Sequence, residues 1–135
     1  MALTGTHDRK LDEKNRLAIP RQLYEEFEEA KLEVLYIAPE KERYLSLFSP
    51  AGYSRLLKKL EEQSGNLDEL NKSLRIRCSQ VAKVELDAQS RIRIPDRLVE
   101  FAVLQREVKL IGVNDHAEIW NPETWDTYRI QNAPT

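Results

Sequence analysis

The sequence predicts an α+β fold, mainly β, in which two copies of one small module are joined by a helical segment. Three observations support this prediction. The 135-residue chain contains an internal repeat, apolar and polar residues alternate within each copy, and residues with helical spacing separate the copies. A module of roughly 50 residues is too small to bury a hydrophobic core easily, so we expect the two copies to share one core.

The repeat is clearest in residues 11–20 and 86–95, which are offset by 75 residues. Both segments carry the pattern Asp-x-x-x-Arg, followed by an apolar residue, one further residue and Ile-Pro. Residues 45–53 parallel residues 117–125, and both contain an aromatic residue, a Pro and a second aromatic residue in that order. The shared order predicts a duplicated module. We therefore divide the chain into a first repeat (1–53), a helical insert (54–78), a second repeat (79–128) and a C-terminal tail (129–135).

Alternation with a period of two residues predicts strands within each repeat. In residues 81–86, apolar residues occupy positions 82, 84 and 86, and charged residues occupy positions 83 and 85. Residues 87–90 interrupt this alternation and predict a hairpin turn. Pro20 and Pro95 end strands and can begin helices, because proline is tolerated in the first turn of a helix. Further strands are expected at residues 17–19, 34–37, 45–48, 92–94, 108–111 and 117–120.

The segment between the repeats has the spacing of two helices. Apolar residues recur three or four positions apart over residues 53–60, and again over residues 67–74. Gly65 and Asn66 separate the two stretches, and the second helix is expected to end near Cys78. The pair is expected to cover the core and to provide packing surface.

The composition excludes several kinds of catalytic and metal-binding sites. The chain has one cysteine, Cys78, and two histidines, His7 and His116, without the spacing of a zinc site. It lacks the Gly-Lys-Ser/Thr triplet of a phosphate-binding loop and the Gly-x-Ser-x-Gly motif of hydrolases. We therefore predict no catalytic residues, no metal site and no cofactor, and we do not expect an enzyme.

The sequence also indicates a cytoplasmic protein. The longest segment without a charged residue spans 11 residues, from Tyr44 to Ser54, and is too short to cross a membrane, so no membrane partner is expected. Residues 1–10 lack the apolar core of a signal peptide. A single cysteine cannot form an internal disulfide, which suits a reducing compartment.

Charge is distributed unevenly, although the net charge is only −2. Residues 1–23 contain five basic and three acidic residues, a net charge of +2, and residues 75–97 contain six basic and three acidic residues, a net charge of +3. Residues 24–70 carry a net charge of −5. If the fold brings the two basic segments together, the resulting positive face suits a polyanion. On charge alone, ordinary solvated surface is the simpler interpretation.

Taken together, these features resemble the MraZ family of bacterial transcriptional regulators. The resemblance rests on Asp12-x-x-x-Arg16 and Asp87-x-x-x-Arg91, each followed by an apolar residue, one further residue and Ile-Pro, with the helical insert between them. Further matches to the family pattern are Gly5, Gly112, residues 118–120 and Trp125. The resemblance extends over nearly the whole chain.

The resemblance implies a tandem of two AbrB-like swapped-hairpin elements that form one interlocked β-barrel with flanking helices. It implies a ring-shaped homo-oligomer, an octamer or larger, that binds double-stranded DNA in the cytoplasm, at the nucleoid. The implied targets are short repeats upstream of the division and cell-wall gene cluster, including the protein's own promoter, where binding represses transcription. An alternative is an AbrB-like protein-interaction module, such as an antitoxin-type protein, in which the acidic residues 24–70 bind a partner protein.

The same resemblance points to the first Asp-x-x-x-Arg loop for contact with DNA. The candidate DNA-binding residues are Arg9, Lys10, Lys14, Asn15, Arg16, Gln89, Arg91 and Arg93. Asp12 and Asp87 are assigned a structural role, since carboxylates repel phosphate and can instead pair with the arginine across the turn. For Arg16 we favour contact with DNA, because arginine can bind guanine through two hydrogen bonds. For Arg91 we favour the bracing role.

Three departures from the family pattern bear on these loops. The family usually has Gly immediately before the motif arginine, where this chain has Asn15 in the first copy and Ser90 in the second. Because Asn tolerates a positive φ better than Ser, we expect the first loop to keep its shape and the second to be remodelled. Val103 replaces a common Gly, and Glu13 adds a negative charge to the first loop.

Overall fold

The computed structural model describes residues 2–27, 29 and 31–134, so Met1, Glu28, Ala30 and Thr135, which fall in the predicted first repeat and C-terminal tail, lie outside it. Within the described residues there are eight strands and five helices, in agreement with the predicted α+β class. The strands are β1 (Thr6–Lys10), β2 (Arg16–Ala18), β3 (Val34–Pro39), β4 (Leu45–Phe48), β5 (Ala82–Glu85), β6 (Arg91–Arg93), β7 (Glu107–Val113) and β8 (His116–Trp120). The helices are α1 (Arg21–Glu26), α2 (Pro50–Gln63), α3 (Leu67–Gln80), α4 (Asp96–Phe101) and α5 (Pro122–Gln131).

The strands form two antiparallel sheets. Six strands lie in the order β1-β7-β8-β4-β3-β5, and β2 pairs with β6 in a separate two-stranded sheet, which we call the ribbon. Among the strands described here, neither sheet closes on itself, so the pairing establishes the mixed fold and not a closed barrel.

The two repeats exchange strands. β1 of the first repeat pairs with β7 of the second, β5 of the second repeat pairs with β3 of the first, and the ribbon takes one strand from each. The main hydrophobic cluster likewise contains buried residues of both copies, including Leu17, Leu23, Ile92 and Leu98. The expectation that the copies share one core is therefore confirmed.

The sequence pattern did not predict two of the elements. β1 has no buried residue and lacks apolar alternation, and it forms because its backbone pairs with β7, which carries the buried Val108 and Leu110. The other is α5, which begins where the Asn121 side chain accepts a hydrogen bond from the backbone N–H of Glu123, at 2.8 Å. This helix packs against Trp120, which is 1% exposed and lies in the core.

The two helices predicted between the repeats are present as α2 and α3. Ser49 caps α2 by accepting a hydrogen bond from the backbone N–H of Gly52, at 3.0 Å, and Asn66 caps α3 in the same way. α3 has no buried residue, and its Leu67 and Ile76 are exposed. In the described part of the chain, no helix combines the length and the apolar character needed to cross a membrane.

Candidate nucleic-acid interface

The ribbon separates an apolar face from a basic one. Leu17 and Ile92 lie opposite each other and are fully buried. Because side chains alternate along a strand, their neighbours point to the other face, where Arg16 lies opposite Arg93 and Ala18 lies opposite Arg91. The outer face of this short ribbon therefore carries three arginines.

This pairing brings together the two basic segments of the sequence. Arg16 comes from the segment at residues 1–23 and Arg93 from the segment at residues 75–97, and they face each other across the ribbon. Like charges directly opposite each other weaken a sheet. Arg16 is ion-paired with Asp12, at 2.6 Å, which offsets part of this repulsion.

The first loop, residues 12–16, is organised by one carboxylate. Asp12 Oδ1 accepts hydrogen bonds from the backbone N–H groups of Lys14, at 2.9 Å, and Arg16, at 2.8 Å. Asp12 Oδ2 accepts a third from Arg16 Nε, at 2.6 Å. Asn15 has φ 58°, the left-handed conformation that closes the turn.

The second loop, residues 87–91, repeats this geometry. Asp87 Oδ1 accepts from the backbone N–H groups of Gln89, at 2.8 Å, and Arg91, at 2.9 Å, and Asp87 Oδ2 accepts from Arg91 Nε, at 2.8 Å. Ser90 has φ 57°. The expectation that this loop is remodelled is wrong, because the three hydrogen bonds to Asp87 hold Ser90 in the left-handed region despite its poorer preference.

Both aspartates are held in their charged form. The backbone N–H of Arg16, with the Arg16 side chain and the backbone N–H of Lys14, lowers the pKa of Asp12 from 3.8 to about 2. The corresponding N–H groups of Arg91 and Gln89 lower the pKa of Asp87. Each carboxylate fixes Nε of its arginine, and within the described residues the terminal guanidinium nitrogens of both arginines have no protein partner.

The loops lie at opposite ends of the ribbon. The Asn15 carbonyl accepts a hydrogen bond from the N–H of Ile94, and the Ser90 carbonyl accepts one from the N–H of Ile19, both at 2.9 Å. Because the strands are antiparallel, Arg93 of the second repeat lies at the first-loop end, beside Arg16. Asn15 Nδ2 also donates to Asp96 Oδ1 at that end, at 3.3 Å.

The other predicted residues lie around these loops. Lys14 and Gln89 are exposed at corresponding positions of the first and second loops. Arg9 and Lys10 precede the first loop but belong to β1 of the six-stranded sheet, where Arg9 Nη1 donates to the Asp8 carbonyl at 2.7 Å. The structure thus joins Arg16, Arg91 and Arg93 on one face and leaves Arg9 and Lys10 outside the ribbon.

One basic residue at the first-loop end was missed. Arg106 is exposed, its carbonyl accepts a hydrogen bond from the N–H of Leu11 at 2.7 Å, and it lines a depression together with Lys14 and Arg16. It lies outside both basic segments of the sequence. No local sequence pattern marks Arg106, because its place beside the first loop follows from the register of β1 on β7. Among the described residues, no group of three His, Cys, Asp or Glu side chains has the geometry to hold a metal ion.

Comparison with known proteins identifies the family to which the sequence is similar. The chain matches the protein family described as "MraZ protein, putative antitoxin-like" over residues 2–74 and 79–134. It is 35% identical to the transcriptional regulator MraZ of Parafrankia sp. (strain EAN1pec) over 131 residues, which cover 97% of this chain and 89% of that relative.

Two further relatives carry the same name. The transcriptional regulator MraZ of Micrococcus luteus is 31% identical over 124 residues, which cover 92% of this chain and 84% of the relative. That of Ureaplasma urealyticum serovar 10 is 27% identical over 131 residues, which cover 97% and 89%. Because the matches extend over most of both chains, as the motifs and their order already indicated, this chain belongs to the MraZ family of transcriptional regulators.

Proposed function

We propose that this protein is a sequence-specific DNA-binding repressor. Its targets would be short repeats upstream of the division and cell-wall gene cluster, including its own promoter. The observation that carries the proposal is the outer face of the ribbon, where Arg16, Arg91 and Arg93 project from two strands. A two-stranded ribbon fits the major groove, where arginine recognises guanine. The protein acts without a cofactor or catalytic residues, in the cytoplasm at the nucleoid.

The proposal gives the predicted residues different roles. Arg16 reads a base, because Asp12 holds Nε and leaves the terminal nitrogens without a partner among the described residues. Arg93 lies beside it and joins the same contact. Lys14, at the loop surface, binds phosphate, which positions the protein without reading sequence. Asn15 shapes the first loop. Supporting phosphate contacts are assigned to Arg9 and Lys10, and weaker contacts to Gln89 and Arg91.

The proposal includes an assembly. We assign the chain two AbrB-like swapped-hairpin repeats (1–53 and 79–128) with an insert (54–78) and a tail (129–135), interlocked as a barrel and assembled into a ring of eight or more subunits. The strand exchange between repeats and the exposed Leu67 and Ile76 of α3 support this organisation. A ring that meets repeated DNA sites makes later contacts intramolecular, so avidity rises without new contacts.

The test is fluorescence anisotropy at physiological salt with the duplex upstream of the protein's own gene and a scrambled duplex. We expect the wild-type protein to prefer the native duplex. Arg16→Lys keeps the charge but not the two-pronged hydrogen bonding, so it should lose most of the preference. Size-exclusion chromatography checks that assembly is intact, and a promoter–reporter assay checks repression. Equal binding of both duplexes by the wild-type protein contradicts the proposal.

A second candidate is an antitoxin-type protein that binds a partner protein. The family description and the net charge of −5 over residues 24–70 favour it. It predicts that affinity purification from the native host yields a stoichiometric partner protein. A purification that yields only self-assembled protein counts against this candidate.

A further inference from the structure

The surroundings of the two loops differ in charge at equivalent positions, among them Arg106 and Glu33. We infer that Arg106 is a phosphate-binding residue at the first-loop end of the ribbon, and that Glu33, its counterpart in the other repeat, repels phosphate from the second-loop end. The inference rests on the proposed function, because it takes nucleic acid as the ligand. Under this inference, phosphate contacts concentrate at the first-loop end of the ribbon.

The register of the strands establishes the equivalence of Arg106 and Glu33. Lys10 and Glu85 are equivalent by the repeat offset of 75, and they lie opposite Glu107 and Val34. Arg106 and Glu33 each precede those partners by one residue. The backbone agrees, because the Arg106 carbonyl accepts from Leu11 N–H at 2.7 Å and the Glu33 carbonyl accepts from Leu86 N–H at 2.8 Å.

The two depressions beside the loops carry opposite charges. The depression beside the first loop is lined by three cations, one of them Arg106, and two carboxylates, a net charge of +1. The depression beside the second loop is lined by one cation, Lys31, and three carboxylates, one of them Glu33, a net charge of −2. Lys31 is also engaged, since its Nζ lies 3.1 Å from Glu33 Oε1.

Arg106 is free to reach a ligand. It is exposed, and among the described residues it forms no ion pair. The ribbon has three residues in each strand, so it extends about 7 Å, against a major groove about 12 Å wide. A ribbon of this length that lies across the groove places its two ends at the phosphate walls, with Arg106 at one wall and Glu33 at the other.

The test measures the salt dependence of binding by anisotropy for Arg106→Gln, Glu33→Gln and a matched control, Arg55→Gln, which removes an exposed arginine from α2. For each subunit that engages DNA, Arg106→Gln should weaken binding of native and scrambled duplexes alike by about tenfold. It should also reduce the slope of log K against log salt by about 0.9 per engaged subunit, the value for one phosphate contact. Glu33→Gln should tighten binding of both duplexes, because it removes a carboxylate and releases Lys31. Arg55→Gln should leave affinity and slope unchanged.

The outcomes separate this inference from the proposed function. If the wild-type protein prefers the native duplex and Arg106→Gln binds with unchanged affinity and slope, the inference is overturned and the function stands. If both duplexes bind equally and Arg106→Gln weakens both, the sequence preference fails and the phosphate contact stands. A wild-type protein that binds neither duplex overturns both. Thermal melts check that the variants fold. We expect them to fold, because the substituted side chains are exposed.

Discussion

The first and second loops share a backbone geometry, whereas the depressions beside them carry opposite charges. In each, one aspartate accepts two backbone hydrogen bonds and one arginine Nε, and the residue before the arginine has φ near 58°. The first loop is accompanied by Lys14 and Arg106, whereas Gln89 and Glu33 occupy the equivalent positions at the second. The same loop geometry thus occurs twice in the fold, in different electrostatic surroundings.

This difference distinguishes the residues that stabilise the fold from the charged residues that are available to a ligand. The aspartate brace and the buried ribbon residues recur in both halves, so they serve the fold. The cations cluster at one end only, and Arg93 of the second repeat adds to that end because the strands are antiparallel. Equivalent changes in the two halves are therefore expected to affect stability alike and DNA binding unequally.

The largest expected effect concerns stability. Leu17→Ala and Ile92→Ala each remove a fully buried side chain from the inner face of the ribbon, so each should lower the free energy of unfolding by about 3 kcal/mol. Urea denaturation measures both. Ala18→Ser, on the exposed face, serves as the control and should change stability by less than about 0.5 kcal/mol. A loss confined to one of the two variants would show that the copies do not share the core equally.

The next effect concerns the exposed residue of each loop. Lys14→Gln should lower DNA affinity by about tenfold for each engaged subunit, equally for native and scrambled duplexes, because it removes one phosphate contact per subunit. Gln89→Lys should gain much less, since Glu33 and its neighbouring carboxylates oppose phosphate there. Anisotropy titrations compare the two variants. A gain for Gln89→Lys as large as the loss for Lys14→Gln would contradict the one-sided charge.

The aspartate brace predicts a dependence on pH. The pKa of Asp12 in the folded state, about 2, lies below its usual value of 3.8. The stability it contributes is therefore present above pH 3.8 and is lost as the pH falls toward 2. Asp12→Asn should melt at a lower temperature than the wild-type protein at pH 5, and the difference should shrink by pH 2. Asp87→Asn should change the melting temperature in the same direction. A difference from the wild-type protein that grows on acidification would contradict a stabilising role for these aspartates.

The smallest expected effect is a difference in stability between glycine substitutions at Asn15 and Ser90. A non-glycine residue in the left-handed region costs about 1–2 kcal/mol, which Gly avoids while losing about 0.5–1 kcal/mol of backbone freedom. Ser90→Gly should therefore stabilise the protein by about 0.5–1 kcal/mol. Asn15→Gly should not, because Asn tolerates this conformation and its side chain donates to Asp96. Urea midpoints of the two variants test the difference, and equal shifts would contradict it.

Much of this architecture was accessible from the sequence because the repeat was visible. The alternation in residues 81–86 and the Ile-Pro boundaries located β5, β6 and the short helices. By contrast, β1 could not be predicted, since its stability comes from pairing with a strand about 100 residues away. The remodelling predicted from Ser90 was wrong, because side-chain preference at one position yields to the hydrogen bonds of its neighbours.

Some residues of the candidate site were likewise predicted from the sequence, and others were not. The family resemblance pointed to Lys14, Arg16 and Arg93, but their grouping at one end depends on antiparallel register, which sequence spacing does not reveal. Arg106 belongs to that end through the pairing of β1 with β7 and through a backbone contact with Leu11. Residues placed by long-range pairing carry no local signal, so they appear only once the strands are assigned.

The central claim is that the first loop, and not its structural twin, reads DNA sequence. The most direct test compares Arg16→Ala and Arg91→Ala by the ratio of their dissociation constants for scrambled and native duplexes. The account predicts that Arg16→Ala loses the preference, by about 10- to 100-fold, as expected for one arginine–guanine contact, while Arg91→Ala retains most of it. A preference that survives in Arg16→Ala, or that falls equally in both variants, would contradict the account.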